Sequence, residues 1–274
     1  MAASPTPPPT TLALLMEPSP EPSRPRRRWV GRVLLVVVLV ALGAGAVVLF
    51  ESVDDSPPAD RFERFTVADL DVEVGALPPV GAAVPQTREW ADRLAAVTDI
   101  PARTLVAYLN AEAAIRGSQP DCKLSWVTLA GVGRVESHHG RYGGTRVGED
   151  GQLSKPIIGV PLDGSPGVQA IQDTDGGRLD GDPRWDRAVG SMQFLPATWA
   201  RWSQRANGDG RQADPQNVDD SALTAARYLC AMGGDLSTGP GWWKAVLTYN
   251  ESKKYGRDVY SGADAYARKA AEIG

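Results

Sequence analysis

One stretch of this 274-residue chain limits what the rest can become. Residues 33 to 50, VLLVVVLVALGAGAVVLF, are eighteen uncharged, mostly apolar residues in a row. An ordinary surface helix is apolar along one stripe only. With Trp29, Val30 and Gly31 beyond Arg32, the run is long enough to cross a bilayer as one helix. Arg24, Arg26, Arg27, Arg28 and Arg32 precede it, and Glu51, Asp54, Asp55 and Asp60 follow it. The excess of arginine on the N-terminal side predicts a single-pass signal-anchor over 29–50, with the N-terminus cytoplasmic and all later residues on the extracytoplasmic side. The small residues GAGA at 43–46 leave a cleaved signal peptide as the alternative. They lie inside the apolar run, however, and a long tail precedes it.

That partition organises the chain. Residues 1–28 are rich in Pro, Ser and Thr and end in RPRRR, a composition that builds no core and predicts a disordered cytoplasmic tail. Residues 51–85 hold DDSPPAD and LPPVGAAVP with little periodicity, and are expected to be a linker. The formal net charge is −4, without basic excess, which speaks against nucleic acid as a partner.

From residue 86 to 274 the pattern is helical. In TREWADRLAAVTD, Trp90, Leu94 and Val97 recur at helical spacing. IPARTLVAYLNAEAAIRG opens with Pro101 in a first-turn position and ends at Gly117. LSWVTLAGVGRVESHHG predicts a third helix with Ser125 as its N-cap. Gly131 and Gly133 cost helix propensity there, which points to close packing against a neighbouring backbone. Residues 141 to 185 are rich in Gly, Asp and Pro and lack helical spacing, so a long irregular insertion is expected. Helices resume at LPATWARWSQRA, at DDSALTAARYLCAMG (capped near Asp219 or Asp220), at GWWKAVLTYN and at GADAYARKAAEIG. No segment shows strand alternation. The fold class is therefore mainly α with one long irregular insertion.

The two cysteines, Cys122 and Cys230, both fall in the exported part, where an oxidising compartment favours a disulfide between them over two buried thiols. His138 and His139 do not suggest zinc. Adjacent helical residues point about 100° apart and no further histidine exists to complete three ligands. Two acidic loops raise the question of calcium. In RANGDGRQADPQNVDD, Asn207 and Asp209 fit a calcium loop, but Arg205 and Arg211 occupy ligand positions. In DTDGGRLDGD, the aspartates fit turn capping better than chelation. No metal and no cofactor is expected.

Glu136 is the anomaly. It stands in the last turn of the predicted third helix, where the helix dipole is negative and an acid is disfavoured. Burial and that dipole both raise a carboxyl pKa, and a carboxyl kept protonated near neutral pH can serve as a general acid. Ser137 or another nearby hydroxyl could orient it. By itself, a Glu near a helix end is most often a solvated surface residue.

GRVESHHG, DRAVGSMQFLPATW, ALTAARYLC and LTYNESKKY follow one another in this order, and the set resembles the lytic murein transglycosylases, most closely the membrane-bound lytic transglycosylase B type. The resemblance covers about residues 85 to 270; GSMQFLPATW is its most specific part. It implies a lysozyme-like, mainly helical domain whose groove binds peptidoglycan glycan strands. Glu136 would be the single catalytic acid/base, cleaving the MurNAc–GlcNAc bond and closing a 1,6-anhydro ring without water. By match, Ser137, Gln193, Tyr249, Asn250 and Tyr255 would line or support the groove. Asp186, in the departing stretch WDRAVGSMQF, would have a supporting role or pair with Arg187.

Overall fold

A computed structural model of the protein describes residues 65–84 and 87–274. The expected tail and membrane segment lie outside them. Among the described residues no helix is long and apolar enough to cross a membrane. The described part is mainly helical, with seven α-helices and isolated β-bridges in place of strands.

The helices are α1 (Arg88–Val97), α2 (Ala102–Ser118), α3 (Trp126–Ser137), α4 (Pro196–Trp202), α5 (Val218–Gly233), α6 (Gly239–Tyr249) and α7 (Lys253–Ile273). α1 starts where the Thr87 side chain accepts the Trp90 N–H, and it buries Trp90, Ala91, Leu94 and Ala95 on one face. α3 is the centre of the domain. Every residue from Trp126 to Gly133 is buried, so the helix is covered on all sides for two turns, and its one polar side chain there, Thr128, accepts the Trp242 indole N–H. α7 crosses it closely because Gly131 has no side chain. A Cβ there would lie 2.4 Å from the Val259 carbonyl oxygen. Gly133 makes room for a side chain instead, the Tyr108 hydroxyl.

Ser125 is the N-cap residue of α3 as expected, but its hydroxyl makes no capping bond: it accepts the Gly81 N–H, and Glu112 Oε1 takes the Trp126 N–H at 3.4 Å. Two other starting points differ from the sequence reading, each for a local reason. α5 is capped by Asn217, whose side-chain oxygen accepts from Asp219 and Asp220, leaving those acids in the first turn where the dipole favours them. α7 begins at Lys253 rather than near Gly262. Ser252 caps it, and Gly256 and Gly262 are spent on close contact with Trp243 and α3.

The segment expected as a linker is fastened down from residue 65 onward. It has no helix or strand, but its backbone is held by side chains of the helical body. Leu70 N–H bonds Ser261 Oγ at 2.9 Å, the Trp243 indole bonds the Ala76 carbonyl at 3.1 Å, and the Tyr260 hydroxyl bonds the Leu77 carbonyl at 2.9 Å. Phe65 stacks on Tyr266. The packed unit therefore begins before residue 86, where hydrophobic periodicity first becomes visible.

Cys122 and Cys230 form a disulfide that ties the short turn before α3 to the end of α5. The insertion between α3 and α4 folds back on itself through single bridges such as Ile158 with Val189 and Gln172 with Trp185. A small apolar cluster of Leu162, Ala188 and Leu195 fills it.

Candidate active site

α3 ends abruptly. His138 takes a left-handed conformation, its N–H bonds the Arg134 carbonyl, and the His139 N–H bonds the Gly133 carbonyl at 2.8 Å. The chain turns away at once, so Glu136 stays in the final turn and projects into the domain. Only 3% of the residue is exposed.

The antiparallel crossing of α3 and α7 supplies its partner. Gly131 opposes Val259, so five residues toward the end of α3 and four toward the start of α7 bring Glu136 and Tyr255 together. The Tyr255 hydroxyl donates to Glu136 Oε1 at 2.6 Å. Oε2 has no hydrogen-bond partner among the described residues. Burial pushes the Glu136 carboxyl from 4.5 up to about 8, against the opposing pull of the Tyr255 bond. No neighbouring charge takes part in the shift. The Tyr249 and Tyr255 phenols are both held well above their ordinary range, first by burial and then by Glu136, so both remain hydrogen-bond donors.

Ser137 does not orient the carboxyl. Its hydroxyl donates to the Ser191 carbonyl at 2.5 Å and accepts the Gly140 N–H at 2.8 Å. Tyr249, at the end of α6, donates to the adjacent Met192 carbonyl at 2.7 Å. These two hydroxyls pin a tight loop, Gly190–Gln193, closed by reciprocal Val189 and Phe194 backbone bonds. The loop needs Gly190, because a Cβ there would lie 1.9 Å from the Pro215 oxygen. Gln193 itself sits at φ 48°, a conformation that costs a non-glycine residue energy. Its amide donates to the Gly190 carbonyl at 3.0 Å, and its Oε1 faces Gly159. Asn250 is fully buried. Its oxygen accepts the Ser252 N–H at 3.0 Å, while its Nδ2 has no hydrogen-bond partner.

Glu136 and Tyr255 are thus in direct contact, and Ser137 and Tyr249 hold the loop that carries Gln193. Asp186 has a different task. Buried in the insertion, it accepts the Thr174 N–H and hydroxyl at 2.9 and 2.8 Å, whereas Arg187 pairs with Asp182. Burial raises the Asp186 pKa.

One cluster escaped sequence reasoning. Behind α3, His139 lies between the hydroxyls of Tyr108 at 3.2 Å and Tyr266 at 2.9 Å. Tyr266 also donates to Asp99, which pairs with Arg134 at 2.6 Å. Burial lowers the His139 pKa to about 3, and both ring nitrogens lie against phenol hydroxyls, so it is a neutral structural link. The histidine pair was visible in the sequence, but its partners come from four separate elements. Among the described residues no group of three or more His, Cys, Asp or Glu is arranged to hold a metal. In the Asn207–Asp209 loop the cation position is taken by a guanidinium: Arg205 bonds both Asp209 oxygens and Asp220. In the 173–182 loop, Asp173, Asp175, Asp180 and Asp182 each accept backbone N–H groups.

No protein-family model, curated protein or solved structure matches the chain.

Proposed function

We propose that this protein is a lytic murein transglycosylase. In this reading a lysozyme-like helical domain is held outside the cell membrane by the 29–50 segment and acts on peptidoglycan glycan strands during cell-wall remodelling. The observation that carries the reading is Glu136. It is a buried carboxyl, mostly protonated at neutral pH, fixed by one phenol and with no second carboxylate shifting it. An ordinary glycosidase pairs two carboxyl groups about 5–10 Å apart. A single acid suffices when the substrate supplies its own nucleophile.

In this reading each group has a role. Tyr255 occupies Oε1, so the acidic proton resides on Oε2. Glu136 gives that proton to the glycosidic oxygen as the C1–O bond of MurNAc breaks, and the GlcNAc leaves with a free hydroxyl. The carboxylate so formed then removes the proton of the muramoyl C6 hydroxyl. O6 bonds to C1, closing the 1,6-anhydro ring, and Glu136 is protonated again. Tyr255 stabilises the transient carboxylate, and burial drives its reprotonation. In this reading Gln193, on the pinned loop, lies beside the sugars, and Asn250 Nδ2 is a buried donor without a partner among the described residues.

The test is digestion of purified peptidoglycan by the full-length chain and by Glu136→Gln, read by mass spectrometry. Fragments one water lighter than hydrolysis products, absent with the variant, support the proposal. Fully hydrated fragments would make the protein a muramidase. Glycan binding with no fragment released would make it a scaffold.

A further inference from the structure

The turn that ends α3 is conformationally costly. Among the described residues four non-glycine residues have positive φ, and two of them follow one another directly after the helix: His138 at 50° and His139 at 62°, with Gly140 next at 83°. Residues with side chains seldom adopt this conformation, and it persists only where the surroundings enforce it. The turn matters to Glu136. Had α3 continued, residues 139 and 140 would stand three and four positions after Glu136, and their side chains would lean back over it. The left-handed turn carries the chain away from that face.

His139 enforces it. The residue is fully buried and bonded to α2, α3 and α7. Its N–H bonds the Gly133 carbonyl at 2.8 Å, its carbonyl accepts the Thr104 hydroxyl at 3.2 Å, and its ring lies between the Tyr108 and Tyr266 hydroxyls. The Tyr266 proton goes to Asp99 at 2.6 Å. The Tyr266 oxygen therefore accepts from His139 Nε2–H, and Nδ1 is left to accept from Tyr108. Asp99 also pairs with Arg134, on α3 itself, so the chain of contacts returns to the helix whose end it holds. On α7, Tyr266 stands about three turns after Tyr255 and within about 20° of the same face. That face thus carries both hydroxyls, Tyr255 on Glu136 and Tyr266 on His139. We propose that His139 is a positioning residue: through Tyr108 and Tyr266 it fixes the end of α3 on α2 and α7, and so keeps the Glu136 carboxyl against the Tyr255 hydroxyl. The proposal rests on the transglycosylase reading for the role of Glu136 as the acid.

Two readouts on the full-length chain test it: steady-state digestion of peptidoglycan, and ¹³C NMR of glutamate carboxyl carbons, with the Glu136 signal assigned by its loss in Glu136→Gln. Tyr266→Phe removes one hydroxyl and keeps the ring stacked on Phe65. It should lower kcat by about tenfold or more and leave KM near the wild type's, because a misplaced acid is felt in the chemical step. His139→Leu should do the same. His139→Gln, whose amide can still donate to Tyr266, should recover much of that loss. The charged neighbours Asp99, Arg134, His138 and Arg141 and the phenols facing Glu136, Tyr249 and Tyr255, are kept in all three variants. In the titration, Glu136 should fall from its midpoint of about 8 by about one unit or more in Tyr266→Phe and His139→Leu, as the loosened corner admits water. Rates are taken per folded molecule, from melts of the same samples. A rate per folded molecule within about twofold of the wild type, a loss confined to KM, equal losses in the two His139 variants, or an unmoved Glu136 midpoint would overturn the proposal. If the wild type forms no anhydro product, the catalytic reading fails, and the Glu136 midpoint in Tyr266→Phe still decides whether this corner positions the carboxyl.

Discussion

Glu136→Gln should change stability in a pH-dependent way that no simple loss of packing could imitate. The wild-type carboxyl titrates near 8 when folded and near 4.5 when unfolded. Below pH 4.5 both states hold the proton and the side chain contributes its full stability. As pH rises, the unfolded chain ionises while the folded one must stay protonated, so that contribution is lost up to about pH 8. The slope is about 1.4 kcal/mol per pH unit, and the whole gap corresponds to roughly 4–5 kcal/mol. Glutamine is near in shape, keeps a carbonyl oxygen for Tyr255 and does not titrate. The variant should therefore melt close to the wild type at pH 4, and be progressively more stable up to pH 8. For a domain of this size the difference there should be roughly 10 °C. Thermal melts followed by circular dichroism across pH 4 to 9 measure it. A difference that is constant with pH, or that shrinks as pH rises, would refute the buried, protonated carboxyl.

Other outcomes follow from single contacts. Tyr255→Phe removes a hydrogen bond to the charged form of Glu136, worth about 1.5–3 kcal/mol, so the alkaline limb of the pH–rate profile should move up by about one to two units; a limb that stays or moves down would contradict the pairing. Reducing the Cys122–Cys230 bond opens a closed loop of 108 residues, a loss of roughly 5 kcal/mol in the chain-entropy model, and should lower the melting temperature by about 10 °C; an unchanged melt would remove its structural role. Gly190→Ala meets the Pro215 oxygen at φ 80° and should destabilise by about 2 kcal/mol or more in denaturant titration, with less than 0.5 kcal/mol as the contrary result. Because Arg205 fills the space between Asp209 and Asp220, calcium and EDTA should leave the melting temperature unchanged, and a calcium-dependent rise would contradict that.

The helical class and the place of Glu136 were legible because they follow from periodicity and from one residue that offends its position. Pro196, Gly233 and the α3 end carry their boundary signals locally. The strap over 65–84 was not legible, because its hydrogen bonds go to side chains far along the chain, such as Ser261 and Trp243. The same holds for the division of labour around Glu136. The sequence neighbour Ser137 turns toward Ser191, and the hydroxyl that meets the carboxyl comes from Tyr255, 119 residues away. Asp186 likewise reads as a site residue beside Gln193 in sequence, yet its carboxylate is committed to Thr174.

The claim that one carboxyl does all the chemistry is tested most directly by digesting peptidoglycan with the full-length protein in ¹⁸O-labelled water. If the muramoyl O6 closes the ring, the released ends are anhydro and carry no label, and Glu136→Gln releases none of them. Heavy oxygen at new reducing ends would show water, and not the muramoyl C6 hydroxyl, as the nucleophile and would contradict ring closure.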